Sequence, residues 1–272
     1  MAKLISADLT NNKLCILEYT TTDGQMLSLE EDMFDAKIVS HTYTDIGKVI
    51  FDKPMTRIEE RAFFWCRSLT NVTIPDSVTT IGNGAFKGCD SLTSVTIGNS
   101  VTTIGERAFS WCNSLTSVTI GQGVTTIGEG AFSDCDRLTS VTIPDSVTTI
   151  GKSVFRNCDS LKEFKGKFAT DGGRCLIIDG VLNAFALGCG VTQYTIPDSV
   201  TTIGNYAFYD CNSLTNVKIH DGVVAGGCVT VWGCDSLTSV TIGNSVTTIR
   251  DRAFEYCTSL TSVTIGKGLT TI

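Results

Sequence analysis

Apolar and polar residues recur along most of this chain in one fixed order. In the segment 95–117, Val95 and Ile97 alternate with polar neighbours, which is the period of a strand with one buried face. A turn signal follows, Gly-Asn in this copy and Pro-Asp in others, and then a second extended apolar pair. The next stretch, Glu106 to Cys112, fits a short helical turn with its apolar residues facing inward.

The unit that recurs is 23 residues long. Segments 95–117 and 118–140 are nearly identical, and a fixed period in this range predicts a solenoid. The stretch 164–193 is a 30-residue variant, and residues 263–272 begin an incomplete last repeat. The full repeats are 49–71, 72–94, 95–117, 118–140, 141–163, 194–216, 217–239 and 240–262.

The repeat pattern L-x-x-V-x-I-P/G-x-S-V-x-x-I-G-x-x-A-F-x-x-C resembles the BspA-like leucine-rich repeats, also called the Treponema pallidum class. The resemblance extends from Val49 to Ile272. The segment Arg174–Gly180 resembles a long-repeat variant of Bacteroides members, and Tyr19–Gly24 resembles the N-terminal segment of the family's proteins.

This resemblance implies a fold and a class of function. The fold is a β-rich α/β solenoid, a curved right-handed superhelix with a parallel sheet on its concave face and short helical turns or second strands on the convex side. Members are mostly bacterial or protist surface proteins that bind host proteins or neighbouring cells, so a secreted or cell-surface location is implied. The first 20 residues lack the pattern of a signal peptide. We therefore expect either an intracellular protein, cytoplasmic if Met1 is its native start, or a chain whose signal has been removed.

Two segments depart from the repeat. Residues 1–48 are expected to cap the core, with a hairpin formed by 16–20 and 25–29 around a Thr-Thr-Asp-Gly turn. In the variant repeat, Cys175–Ile178 and Val181–Phe185 bracket Asp-Gly and predict a second hairpin that projects from the edge of the solenoid. This hairpin is either a purely structural insertion or a contact for a partner.

The end of the array predicts self-association. Val263-Thr264-Ile265 would form a strand with unpaired backbone groups, and such an edge favours pairing with another chain. We read Ile272 as a truncation, and we expect concentration-dependent self-association through residues 263–272.

Charge and motif content exclude several functions. The net charge of −7 argues against nucleic-acid binding, and no apolar run is long enough for insertion into a membrane. The 272 residues contain two histidines and none of the common nucleotide-binding, hydrolase or metalloprotease motifs. We therefore predict no enzyme activity, no catalytic residues and no cofactor.

Cysteine is abundant, but its spacing explains most of it. Eight of the 12 cysteines follow the 23-residue period: Cys66, Cys89, Cys112, Cys135, Cys158, Cys211, Cys234 and Cys257. This spacing does not suit a zinc site, and stacked side chains point in the same direction, which is poor geometry for disulfides. We predict a column of buried free thiols. Cys15, Cys175, Cys189 and Cys228 lie outside the column and have no predicted role.

The outward residues of the predicted concave strands are mostly threonine. Thr is a good soluble strand former, so the pattern is either purely structural or a hydroxyl-rich face for a protein or glycan. The candidate binding residues of this face are Thr96, Thr119, Thr142, Thr195 and Thr241, with the charged residues Glu163, Lys165 and Lys218 beside the variant repeat.

Aromatic residues vary most in the predicted convex turns. They are either exposed anchors for a partner or packed against neighbouring turns. The candidates are Trp65, Trp111, Tyr209, Trp232 and Tyr256. Taken together, the sequence predicts a non-enzymatic scaffold for protein binding or adhesion; the alternative is a purely structural or assembly module of a larger protein.

Overall fold

Each 23-residue coil stacks on the next in a constant register. Val95 pairs with Val118, and Ile104 pairs with Ile127, so equivalent residues of neighbouring repeats lie side by side. The computed structural model describes residues 15–223, 225–226, 231–249 and 252–271. Over these residues the chain is a β-solenoid of about 9 turns with almost no helix.

The described residues form short strands and two 3-10 helices, Glu31–Met33 and Leu187–Cys189. In chain order the strands are β1 (Cys15–Thr21), β2 (Ile38–Tyr43), β3 (Gly47–Phe51), β4 (Arg57–Ile58), β5 (Leu69–Thr73), β6 (Thr80–Ile81), β7 (Ser94–Ile97), β8 (Thr103–Ile104), β9 (Ser117–Ile120), β10 (Thr126–Ile127), β11 (Ser140–Thr142), β12 (Thr149–Ile150), β13 (Glu163–Lys165), β14 (Ala169–Thr170), β15 (Cys175–Ile178), β16 (Val181–Phe185), β17 (Gln193–Thr195), β18 (Thr202–Ile203), β19 (Asn216–Ile219), β20 (Ala225–Gly226), β21 (Ser239–Ile242) and β22 (Ser262–Ile265).

The strands of the described residues form four sheets. An 8-stranded sheet has the order β13-β11-β9-β7-β5-β1-β3-β2, and the shorter second strands form a 5-stranded sheet in the order β12-β10-β8-β6-β4. From the variant repeat onward, β14-β15-β16-β18-β20 form a second 5-stranded sheet, and β17-β19-β21-β22 form a 4-stranded sheet. The parallel ladders predicted from the repeat are therefore present on both sides of the variant repeat.

The predicted helical turn between Glu106 and Cys112 is wrong. The amides of Arg107, Phe109 and Trp111 donate to carbonyls of the following repeat, at 2.8, 2.8 and 3.0 Å. The amides between them bond within the turn, so alternate N–H groups point along the solenoid axis and no α-helical ladder can form. The right-handed superhelix stays a prediction.

This alternation requires left-handed backbone at two positions in each turn. Arg107 and Trp111 have φ of 52° and 62°, whereas Gly84 and Gly88 occupy the same two positions one repeat earlier. Glycine adopts this conformation without steric cost, but a residue with a Cβ does not. The non-glycine residues in these turns are therefore held there by packing and by the bonds to the next coil.

A column of phenylalanine rings runs through the first half of the core. Phe63, Phe86, Phe109, Phe132 and Phe155 stack face to face, with centroids 4.9 to 5.7 Å apart and planes within 5° of parallel. Phe34 closes one end of the column and Phe164 the other, both in tilted, edge-on contacts.

The cysteine column is buried, as predicted, except for the half-buried Cys66, and every cysteine among the described residues is a free thiol. These thiols also have polar partners. Cys112 Sγ donates to the Phe86 carbonyl at 3.3 Å, and Cys135 Sγ donates to the Phe109 carbonyl at 3.2 Å. Burial raises the pKa of the Cys66 thiol to about 11, and it raises the pKa values of Cys112 and Cys135 well above the usual range. Cys228, named above, lies outside the described residues.

The N-terminal hairpin predicted over residues 16–29 is wrong. Strand β1 pairs antiparallel with β3 on one side and with β5 on the other, so both of its edges are taken by later parts of the chain. Residues 25–30 form no strand, and the Leu27 amide instead donates to Tyr19 Oη at 3.1 Å. The hairpin at this end is β2-β3, and β3 crosses the predicted boundary between cap and repeats.

The second predicted hairpin forms, but it does not project. Strands β15 and β16 pair antiparallel around Asp179-Gly180, and all four residues of β15 are buried. Strand β16 continues into the solenoid by parallel pairing with β18. The hairpin therefore belongs to the core, where it lies between the two halves of the array.

Candidate functional site

The strand face carries free hydroxyl groups. We define it as the outward residues in the middle of the long strands: Thr96, Thr119, Thr142, Lys165, Thr195, Lys218, Thr241 and Thr264. Thr96, Thr119, Thr142 and Thr195 are exposed, and Thr241 is half-buried. None of these threonines bonds through its hydroxyl to a described residue.

Threonines beside the strand face have a different role. Thr93 and Thr116 each donate a hydroxyl hydrogen bond to a carbonyl of the preceding repeat, at 3.2 and 3.1 Å. Their hydroxyls connect the coils. The hydroxyls of the strand face have no such function in the fold, so they are available to a partner.

The charged patch predicted beside the variant repeat is divided in two. Lys165 Nζ lies 2.9 Å from Glu163 Oε1 in an exposed ion pair, and both residues belong to β13, the last strand of the 8-stranded sheet. Lys218 lies on β19 in the 4-stranded sheet, between Thr195 and Thr241. It forms no ion pair with any residue that the structure describes.

Lys218 lines a groove of about 580 Å³ at the end of these strands. Thr241, His220, Asp221 and Lys267 share the lining, so two of the predicted residues meet here with three that were not predicted. The sequence does mark His220 as unusual, because it occupies the position where the other repeats have Gly or Pro.

Hydrogen bonds fix the groove wall. His220 Nδ1 accepts from the Gly222 amide at 2.8 Å, which leaves the proton on Nε2; that atom is buried without a partner among the described residues. Asp221 accepts a 2.6 Å bond from the Asn244 amide, and this bond lowers the pKa of the Asp221 carboxyl. The groove therefore presents ammonium groups at Lys218 and Lys267 beside an ionised carboxylate.

The predicted aromatic residues fall into two groups. Trp65, Trp111 and Tyr256 are exposed, at 40%, 45% and 59%. Tyr209 is buried and Trp232 is half-buried, and their rings stack at 4.5 Å.

The packed group forms a row across several coils. Arg156, which the sequence did not single out, lies 4.0 Å over the Tyr209 ring and donates to its hydroxyl at 2.7 Å. Trp232 contacts Tyr256 edge-on and donates its indole N–H to Glu255 at 3.0 Å. Tyr209 and Trp232 therefore hold neighbouring turns together, and only the exposed aromatics remain candidates for binding.

The described part of the chain contains no group of three or more His, Cys, Asp or Glu residues arranged to hold a metal ion. It also contains no helix with the length and apolar character needed to cross a membrane.

The structure resembles several solved leucine-rich repeat proteins. One from Bacteroides ovatus is 28% identical over 85% of this chain and 68% of its own, with a TM-score of 0.48. The T. pallidum leucine-rich repeat protein is 26% identical over 68% of this chain and 73% of its own, with a TM-score of 0.47. The pneumococcal vaccine antigen PcpA is 16% identical over 91% of this chain and 86% of its own, with a TM-score of 0.51; this likeness concerns the fold alone.

No curated protein matches the chain. The family model for the BspA type leucine-rich repeat region matches in six copies, over residues 37–163 and 182–272. The unmatched stretch between them holds most of the variant repeat. The chain belongs to the BspA-type leucine-rich repeat family.

Proposed function

We propose that this protein is a non-enzymatic scaffold for protein binding, with its contact site at the groove around Lys218 on the strand face. One observation carries the proposal: Lys218 is a strand-face cation without an ion-pair partner among the described residues, and it opens into a groove of about 580 Å³. Lys165 faces the same way, but Glu163 already neutralises it. Membership of a repeat family with surface-exposed binding proteins supports the same reading, and a cell-surface location belongs to the proposal.

The groove chemistry favours a protein segment as the partner. Lys218 and Lys267 offer two ammonium groups, and Asp198 and Asp221 offer two carboxylates within one lining. A surface with both signs recognises a complementary arrangement of charges, which a folded protein supplies more readily than a neutral glycan does. The unbonded threonine hydroxyls beside it extend the polar contact area.

The test compares Lys218 with Lys165, because both belong to the same column of outward strand residues. A protein ligand isolated with the wild-type chain is titrated against Lys218→Glu and Lys165→Glu by surface plasmon resonance. Because Lys218 is the unpaired cation, Lys218→Glu is expected to weaken binding about tenfold or more, and Lys165→Glu by less than about threefold. Equal losses, or no loss in Lys218→Glu, would contradict the assignment.

The assembly role rests on a separate observation. Val263 and Ile265 on β22 are 39% and 46% exposed, although the same positions on β21 are buried. We propose that residues 263–272 pair with a second copy of the chain, so that the scaffold self-associates as well as binds.

A further inference from the structure

A second groove lies on the turn side of the solenoid, away from the strand face. It measures about 320 Å³, at the lower end of the range for small-molecule sites. Its lining includes the cations Lys87, Arg107 and Arg156 and the aromatic side chains of Trp111 and Tyr206. Neither the predicted strand-face site nor the groove at Lys218 includes any of these residues.

The three cations of this groove lie outside direct ion pairs. None of them forms an ion pair with a residue that the structure describes. Arg156 is oriented by its hydrogen bond to Tyr209 and by the Tyr206 ring, whose centroid is 5.9 Å from the guanidinium carbon. A guanidinium fixed in this way loses little conformational freedom when it binds an anion, and its geometry suits a carboxylate.

The remaining lining suits a sugar ring. Trp111 is exposed and can cover an apolar sugar face, while Ser153 and the carboxylates of Glu129 and Asp134 can bond to sugar hydroxyls. The volume of about 320 Å³ suits a small ligand.

The neighbouring surface limits the charge of the ligand. A groove of about 290 Å³ shares Trp111 and Asp134 with the first and is lined further by Asp136, Asp159 and Asp210. Burial, together with the neighbouring carboxylates of Asp159 and Asp134, raises the pKa of Asp136. A polyanion that continued along the turns would meet this acidic groove, so the basic groove suits one charged unit.

Three of the lining residues stand at left-handed turn positions of the repeat. Arg107, Trp111 and Tyr206 have φ of 52°, 62° and 58°. Gly84, Gly88 and Gly130 hold equivalent turn positions in sister repeats, so glycine is compatible with the turn. Arg61 and Arg252 adopt the same conformation in other repeats, so it does not single out the groove, but it allows glycine variants that remove a side chain without straining the turn.

We propose that this groove binds a monoanionic sugar, such as a uronic or sialic acid unit, with its carboxylate at Arg107 and Arg156 and its ring on Trp111. The site is independent of the protein-binding function proposed for the Lys218 groove.

The experiment uses glucuronic acid and N-acetylneuraminic acid as probes, with glucose and galactose as neutral counterparts. Binding to the full chain is measured by isothermal titration calorimetry. The acids are expected to bind saturably, with a Kd on the order of 1 mM, and the neutral sugars about tenfold more weakly.

The variants Arg107→Gly and Trp111→Gly remove the contacts but relieve the backbone, so both should fold and melt no lower than the wild type. Each is expected to weaken acid binding about tenfold or more. Arg252→Gly changes the same left-handed position in another repeat, outside the groove, and should leave binding unchanged. Lys218→Glu should also leave it unchanged, which separates this site from the proposed protein-binding groove.

Three results would overturn the proposal. Equal binding of acidic and neutral sugars would remove the role of the cations. Acid binding that survives both groove variants would place the site elsewhere. Absence of sugar-acid binding, whether or not N-acetylglutamate binds in its place, would exclude the sugar assignment.

Discussion

The ladder cysteine acts as a hydrogen-bond donor as well as a small apolar side chain. Five buried thiols of the column donate to the carbonyl of the phenylalanine 26 residues earlier, as Cys112 does with Phe86. The sequence predicted burial and free thiols from the 23-residue spacing. It could not predict the hydrogen bond from the thiol, because the acceptor is a backbone carbonyl, which every residue has.

We predict that Cys112→Ala lowers the free energy of unfolding by about 2 kcal/mol, because it leaves a small cavity and an unbonded buried carbonyl. The matched control is Cys66→Ala, since Cys66 is only half-buried and its thiol has no hydrogen bond to a described residue. Urea denaturation monitored by circular dichroism should show a loss for the control that is less than half as large. Equal losses would mean that packing alone fixes the column.

At the scale of the turn, sequence periodicity could not distinguish a helical turn from an irregular one. The apolar spacing Ala108-Phe109-Cys112 suits one helical turn as well as it suits the observed irregular turn. The two conformations differ in the hydrogen-bond acceptors of alternate amides, and here those acceptors are carbonyls of the next coil. An isolated repeat has no such acceptor, so the turn is a product of stacking.

Ser153 tests the cost of left-handed backbone in these turns. It has a φ of 55°, whereas Gly130 holds the equivalent position one repeat earlier. We predict that Ser153→Gly raises the free energy of unfolding by about 1 kcal/mol, because the strain disappears. Ser160→Gly is the control; Ser160 is not among the positive-φ residues, so glycine there should destabilise by about 0.5 kcal/mol. A loss of stability in both variants would contradict the prediction.

The two hairpin signals had different outcomes for a physical reason. At Asp179-Gly180 the facing edges of β15 and β16 pair with each other, while their other edges pair with β14 and β18, and the hairpin forms. After β1 a turn is present, but both edges of that strand are occupied by β3 and β5. Local turn chemistry identified both turns, while strand pairing with distant parts of the chain decided which turn became a hairpin.

At the scale of the whole molecule, the variant repeat divides one array into two cores. The Phe column ends at Phe164, and a second aromatic set begins with Phe185 and Phe208. The same break separates Lys165 from Lys218 in different sheets. The sequence placed all three charged residues in one patch because it treated the strand ladder as continuous. The groove at Lys218 depends on the new sheet, whose register begins again at β17.

The edge strands of these sheets offer backbone groups for contact with a second copy of the molecule. We predict that the protein self-associates with increasing concentration through β22, because its exposed Val263 and Ile265 lie beside unpaired backbone groups. Ile265→Lys should shift the population toward monomer in sedimentation velocity experiments. The control is Val39→Lys, since Val39 is 63% exposed on β2, the edge strand at the other end of the 8-stranded sheet. Loss of association in both variants would indicate head-to-tail stacking between the two edges, and a monomer at every concentration would exclude the contact altogether.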